Sequence, residues 1–258
     1  MIGKYAVRLF SLGYLAVLLV APVGYVFWRT FEHGIGPAWA AVTTPDALHA
    51  LKVTLILTAI AVPANTIFGV LCALAIVRHR YPGAGIVNAV VDLPLALSPV
   101  VVGLALLLLY GRGGWLDGHG VVFALPGMVL ATIFVSLPFV VREVVPVLRE
   151  IGTEQEQAAA TLGASALQSF VRVTWPAIRY ATAYGVVLTT ARALGEFGAV
   201  SVVSGRLSGE TETLTLFVQD RYQSFDITGA YAAAVLLALL AMATLLLMTR
   251  LKPAEGTQ

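Results

Sequence analysis

Residues 156–176 read EQAAATLGASALQSFVRVTWP, and long apolar runs lie on both sides of them. The local chemistry predicts two short helices with a break between them. Thr153-Glu154-Gln155-Glu156 has the form of a capping box, in which the Thr153 hydroxyl accepts from the Glu156 amide and the Glu156 carboxylate reaches back. Glu154 and Glu156 suit the positive end of a helix dipole. Ala158, Ala159 and Ala160 propagate the helix at minimal entropic cost, and Gly163 interrupts it. Ser165-Ala166-Leu167-Gln168 repeats the box and starts a second short helix, with Leu167, Phe170 and Val171 on one face. Pro176 fits the opening turn of a further helix. The first helix, over 154–162, is only ~13 Å long at 1.5 Å per residue. A helix that short is marginal alone in water, so packing against something must hold it, either its own bundle or a partner.

Working outward, the rest of the chain is membrane-like. Of its 258 residues 59% are hydrophobic and 12% charged, where a soluble domain carries about 25% charged residues. Six apolar runs, at about 9–28, 51–77, 86–110, 121–141, 178–204 and 227–249, are long enough to cross a ~30 Å hydrocarbon layer as helices. They predict an all-α, polytopic membrane protein with six transmembrane helices. The chain, 1–258, reads as a single transmembrane domain with its longest connection at 142–177. The first run is expected to be retained rather than removed as a secretion signal, because no A-x-A pattern follows it. With both termini inside, ten basic residues fall on the cytoplasmic side: Lys4, Arg8, Arg78, Arg80, Arg142, Arg149, Arg172, Arg179, Arg250 and Lys252. Five, Arg29, Lys52, Arg112, Arg206 and Arg221, fall outside, which favours that orientation. Prolines 63, 94, 99, 126 and 138 lie within the runs, where each removes a backbone donor. Ordinary kinking is one reading; in the other, Pro94 and Pro99 of DLPLALSPVV shape a pathway.

Several classes of function are excluded. A net charge of +2, with basic residues spread over many loops, gives no nucleic-acid footprint. The lone Cys72 can form neither an intrachain disulfide nor a metal site. His33, His49, His79 and His119 are read as loop histidines in separate polar connections without ligand spacing. No nucleophile–base pair or paired acid and base stands at membrane depth, so no catalytic residue, cofactor or metal is expected. The chain has no G-x-x-x-x-G-K-[ST] loop, and none of its three lysines, Lys4, Lys52 and Lys252, sits in such a turn. If ATP drives the protein, hydrolysis belongs to another chain.

The 142–177 connection resembles the EAA loop of ABC importer permeases. The matching positions are Gln157, Ala158, Ala159, Gly163 and Pro176, with the thirteen-residue step from Gly163 to Pro176 kept. Gln157 stands where the motif has glutamate, next to Glu156; Val173 replaces the usual isoleucine and Trp175 the usual leucine. The stretches VDLPLALSPVVVGL, FALPGMVLATIFVSLPFVVRE, GTEQEQAAATLGAS and ARALGEFGAVSVVSG look like sulfate/thiosulfate importer permeases, and the last looks more like the second of that system's two permeases. The resemblance implies a type I importer permease in a bacterial inner (plasma) membrane, surrounded by lipid. Its implied partners are a second homologous permease, a cytosolic ATP-binding subunit dimer and an extracytoplasmic sulfate-binding protein. It assigns ATPase coupling to Glu154, Glu156, Gln157, Ala158, Ala159, Gly163 and Pro176. A molybdate or tungstate importer is the alternative within the same branch. A stand-alone anion channel or proton-coupled carrier is the alternative outside it, and leaves the capped loop without a purpose.

Arg192 and Glu196 lie four residues apart in the fifth run and share a helix face. Each charge at mid-membrane costs about 2.5–3.5 kcal/mol on insertion scales. They read either as a structural ion pair or as part of the translocation path together with Ser98. In the second reading Arg192 favours a divalent oxyanion and Glu196 limits the grip. Asp92 is expected to be an interfacial or helix-pairing carboxylate. In the outer connection 205–226, Thr211-Glu212-Thr213 followed by Leu214, Leu216, Phe217 and Val218 predicts a short helix with its apolar side on the bundle, in a region that the resemblance implies is an outer gate and docking surface.

Overall fold

The computed structural model describes residues 2–78 and 83–251, so His79, Arg80 and Lys252 lie outside the described residues, as do the side chains of Lys4 and Arg250. All regular structure there is helical. Helix α1 (Ile2–Leu15) passes through a π turn, Ala16–Val20, into α2 (Ala21–Phe31); α3 (Ile35–Val42) and the long α4 (Pro45–Arg78) follow. Next come α5 (Ala84–Ala96), α6 (Pro99–Tyr110), α7 (Leu125–Ser136), α8 (Pro138–Glu150) and α9 (Glu154–Thr161). Helix α10 (Ala166–Ser169) runs through a second π turn, Phe170–Thr174, into α11 (Trp175–Leu194), and α12 (Val200–Val203), α13 (Leu214–Gln223) and α14 (Ile227–Leu251) complete the chain.

Four helical stretches, Val7–Phe31, Pro45–Arg78, Leu125–Glu150 and Ile227–Leu247, are long and apolar enough to cross a membrane. The third expected span is not one helix. Gly85–Ala96 and Pro99–Tyr110 meet at 109°. Leu97 (φ −89°, ψ 140°) and Ser98 (φ −63°, ψ 135°) are both extended, as the position before a proline prefers. Pro94, by contrast, sits inside α5 without ending it.

The fifth expected span, 178–204, also needs correction: α11 stops at Leu194, and the chain leaves helical geometry before α12. Helix α11 is less apolar than the four spanning stretches. It packs on α4, α8 and α14 and buries Thr182, Gly185 and Thr189. A Cβ on Gly185 would stand 2.8 Å from Val140 Cα, and one on Gly69 would stand 2.7 Å from Val140 Cβ. Val140 of α8 is thus wedged between glycines of α4 and α11, the close approach that small residues permit between membrane helices.

The fourth run starts at Leu125 and continues through α8 to Glu150, so the first residues of the expected 142–177 connection are helical. His49 lies within α4 rather than in a connection, with Nε2 3.3 Å from the Glu210 carbonyl. One apolar cluster joins Val53, Leu57, Met128, Val135, Val200 and Leu216, and another joins Val70, Val91, Val144, Leu148 and Ile178. Asn65, 1% exposed, bridges α4 to α7 by donating to the Ile133 carbonyl (3.0 Å) and the Ser136 hydroxyl (2.8 Å).

Candidate functional site

Helix α9 contains no buried residue. Its Glu156 carboxylate does not close the expected capping box. It accepts instead from Arg78 at the end of α4, with Nε and Nη2 lying 3.2 and 3.1 Å from Oε1, and from the Thr174 hydroxyl at 2.6 Å. Arg78 Nη1 also donates to the Leu148 carbonyl in the last turn of α8 (3.0 Å). A guanidinium offers stronger, charge-assisted bonds than the single cap amide, so it wins the carboxylate. The Thr153 hydroxyl accepts from Gln157 Nε2 at 3.1 Å instead.

The second box forms as expected. Ser165 N–H donates to Gln168 Oε1 (2.9 Å), and Gln168 N–H donates to Ser165 Oγ (3.3 Å). Gly163 adopts φ +83°. Its N–H reaches the Ala160 carbonyl and the Ala164 N–H reaches that of Ala159, both at 3.0 Å, which is the paired bonding of a Schellman stop. Pro176 lies in the first turn of α11, and the π turn before it lets the helix run on without the missing amide. Glu154, Gln157 and Ala158 are exposed, and Ala159 is half-buried. Leu162 and Leu167 stand 89% and 72% exposed, so a polar knob presents two bare leucines.

The second locus is the break after α11. Arg192 lies in the last turn of that helix, and Glu196 lies just beyond its end. Arg192 Nη1 and Glu196 Oε2 form an ion pair at 2.6 Å, with side chains 30% and 2% exposed. Glu196 Oε1 accepts from the Ala199 N–H at 2.8 Å, ahead of α12, and its carbonyl accepts from the Thr215 hydroxyl at 2.9 Å. A Cβ on Gly198 would lie 2.8 Å from Pro99 Cβ, and one on Gly103 would lie 2.7 Å from the Ala199 carbonyl oxygen. The two helix breaks, at 97–98 and 195–199, are therefore packed on each other. Ser98 is exposed beside this contact and does not cap α6 with its side chain; it makes no bond to Arg192 or Glu196 among the described residues. Interrupted helices at membrane depth are tolerated where protein or a watery cavity meets the freed backbone.

The chain matches the family described as "Binding-protein-dependent transport system inner membrane component" over residues 65–255. It belongs to that family. The permease is 48% identical over 254 residues to the sulfate transport system permease protein CysW of Synechococcus elongatus, covering 96% of this chain and 89% of that protein. It is 47% identical over 251 residues to the chloroplastic sulfate permease 2 of Chlamydomonas reinhardtii, covering 95% and 68%. Against the sulfate transport system permease protein CysT of Escherichia coli it is 39% identical over 235 residues, covering 88% and 85%. Its fold is similar to a chain in the crystal structure of a bacterial alginate ABC transporter in complex with its alginate pentasaccharide-bound periplasmic protein. The TM-score is 0.80 at 20% identity, with 96% and 92% of the two chains covered. The fold is thus that of an ABC importer permease, and the protein is a multi-pass component of the inner membrane.

At the other end of the permease, α13 forms as expected. Its residues Leu214, Leu216 and Phe217 are buried. The Leu214 N–H donates to the Thr54 hydroxyl of α4 at 2.8 Å, and Arg221 lies 3.5 Å from Asp46. Glu212 is 5% exposed. Burial, and secondarily the neighbouring Asp220, push its carboxyl above the usual carboxylate range. Asp92 pairs helices as expected, its carboxylate 2.8 Å from Arg142 Nε of α8.

Sequence reasoning missed Arg78 as a site residue and saw only a topogenic charge. Its partner Glu156 lies 78 positions away, beyond any periodicity. The one local signal was an arginine closing a long helix beside an acid-rich, short helix.

Proposed function

We propose that the chain is the CysW-type permease of an ATP-driven sulfate and thiosulfate importer. The supporting observation is its 46–48% identity to CysW proteins over nearly the whole chain, against 39% to CysT. In this reading it pairs with a CysT-like second permease, takes its anion from an extracytoplasmic binding protein, and is driven by a cytosolic ATPase dimer, with both termini cytoplasmic. The knob built on Glu154, Glu156, Gln157, Ala158, Ala159 and Gly163, with Pro176 at its return to the bundle, receives the ATPase. Its exposed leucines and its short, unburied helix favour that role.

The packed breaks at Ser98 and at Glu196 form the path. Glu196 is almost wholly enclosed and held by the Ala199 amide, while Arg192 keeps nearly a third of its side chain open. The guanidinium therefore meets the divalent anion, and the carboxylate behind it fixes its position. A half-neutralised arginine attracts the anion without trapping it, as conduction requires.

The test is uptake of radiolabelled sulfate, thiosulfate, molybdate and tungstate by proteoliposomes carrying the assembled complex. ATP- and binding-protein-dependent sulfate uptake is the expected result. Preference for molybdate or tungstate overturns the substrate, and uptake without ATP or binding protein overturns the importer.

A further inference from the structure

We infer that Arg78 is a positioning residue that locks the knob to helix α4, so that α9 and α4 move as one body and a push on the knob is delivered to the outer face. This rests on the importer reading above. Helix α9 buries nothing of its own, and eight residues do not hold a helix in water. What ties its side chains to the bundle is the Glu156 carboxylate, bonded to Arg78 and to Thr174. Through the Leu148 carbonyl the same guanidinium also holds the inner end of α8. One side chain, 11% exposed, thus gathers the ends of α4 and α8 and the knob, and the Glu156 carboxylate it holds also takes the Thr174 hydroxyl of the π turn that leads into α11.

The outer end of α4 is fastened as well. Thr54 accepts from the first amide of α13, Asp46 faces Arg221, and Phe217 packs with Ala47 and Ala50. Thr54 and Arg78 are about 36 Å apart along the helix at 1.5 Å per residue. The helix is continuous through Pro63 over that length. A displacement of α9 that keeps its ion pair must therefore be shared by α4, and through α4 by the helix at the opposite mouth. If the joint is cut, the knob still meets its partner but moves alone.

The experiment uses the full complex in proteoliposomes with Arg78→Gln, the charge exchange Arg78→Glu/Glu156→Arg, and Thr174→Val. Two quantities are read: sulfate imported per ATP hydrolysed, and amide hydrogen exchange over residues 153–163 of the permease. For Arg78→Gln we expect faster exchange across the knob and ATP hydrolysis largely kept, while sulfate per ATP falls about tenfold, within the range of coupling energies between sites. The charge exchange should recover much of the ratio. Thr174→Val, which removes one hydroxyl and leaves the ion pair, should shift it less in the same direction. An unchanged ratio in Arg78→Gln overturns the inference. So does a proportional loss of sulfate and ATP turnover, which marks a merely structural role, and so does failure of the charge exchange to recover. If Arg78→Gln does not assemble, Glu156→Gln, which removes the ion pair from its other side, decides, and a normal ratio there overturns the joint. The unaltered complex tests the importer reading separately, and the exchange measurement tests the lock whether or not that complex transports sulfate.

Discussion

At the scale of single residues, two positions carry the clearest expectations. Gly163 sits at φ +83° with open space where a Cβ would be, so backbone conformation alone resists substitution there. Asparagine, which tolerates the left-handed region, should be accepted better than alanine, and alanine better than valine. The loss at alanine should be about 1–2 kcal/mol of local stability, read by amide exchange across 154–164. Gly163→Trp should insert in the membrane yet abolish uptake, because it enlarges the knob's contact surface.

At Glu196, removal of Arg192 leaves a carboxylate that is 2% exposed with only the Ala199 amide for company. Arg192→Gln should therefore cost up to about 3 kcal/mol and lower uptake more than the double change with Glu196→Gln. Uptake per assembled complex in all three variants checks this, and equal near-normal rates would reduce the pair to a dispensable contact. The i, i+4 spacing made this pair readable in advance. The helix end between the two residues was not readable, because Gly195 breaks the helix only where Pro99 of another helix lies against Gly198. Glu212 titrates the other way from most acids. Burial holds its proton to a higher pH than the 4.5 of an ordinary glutamate. Its contribution to stability is full below that value and is lost as pH rises through its folded pKa. Glu212→Gln should raise the unfolding midpoint at neutral pH and flatten its fall between acid and neutral pH, measured by thermal unfolding in detergent.

At the scale of elements, apolar length marked where the long helices run and missed their breaks; among the described residues four stretches, or five with the bent pair, are long and apolar enough to cross a membrane, and the fifth expected run is not among them. Pro94 and Pro99 look alike in DLPLALSPVV, yet the first lies inside α5 and the second opens α6 after a 109° break. The capping boxes divide the same way: Ser165–Gln168 closes locally, while Thr153–Glu156 loses its acid to an arginine from a distant helix. A local motif is decisive only when no stronger tertiary partner competes for its atoms. The wedge of Val140 between Gly69 and Gly185 is equally non-local. Gly185→Ala should destabilise the bundle by about 1–3 kcal/mol through overpacking, seen as a lower unfolding midpoint. Gly185→Ala with Val140→Ala should recover part of it.

For the whole molecule, composition and the long apolar runs were enough to read an all-helical membrane protein, and one loop was enough to suggest its family. The packing of two broken helices, and the long helix tied at both ends, needed the three-dimensional arrangement. The two leucines at the tip of the knob, Leu162 and Leu167, carry a consequence for the cell. In the proposed orientation, a permease made without its ATPase would expose them to cytosolic water, as an unfolded segment would, and quality-control proteases read such segments as damage. The steady-state amount of this subunit should then follow the gene dosage of its ATPase rather than its own. Leu162→Gln with Leu167→Gln should lengthen the lifetime of the orphan chain, in a pulse-chase, even as it weakens assembly.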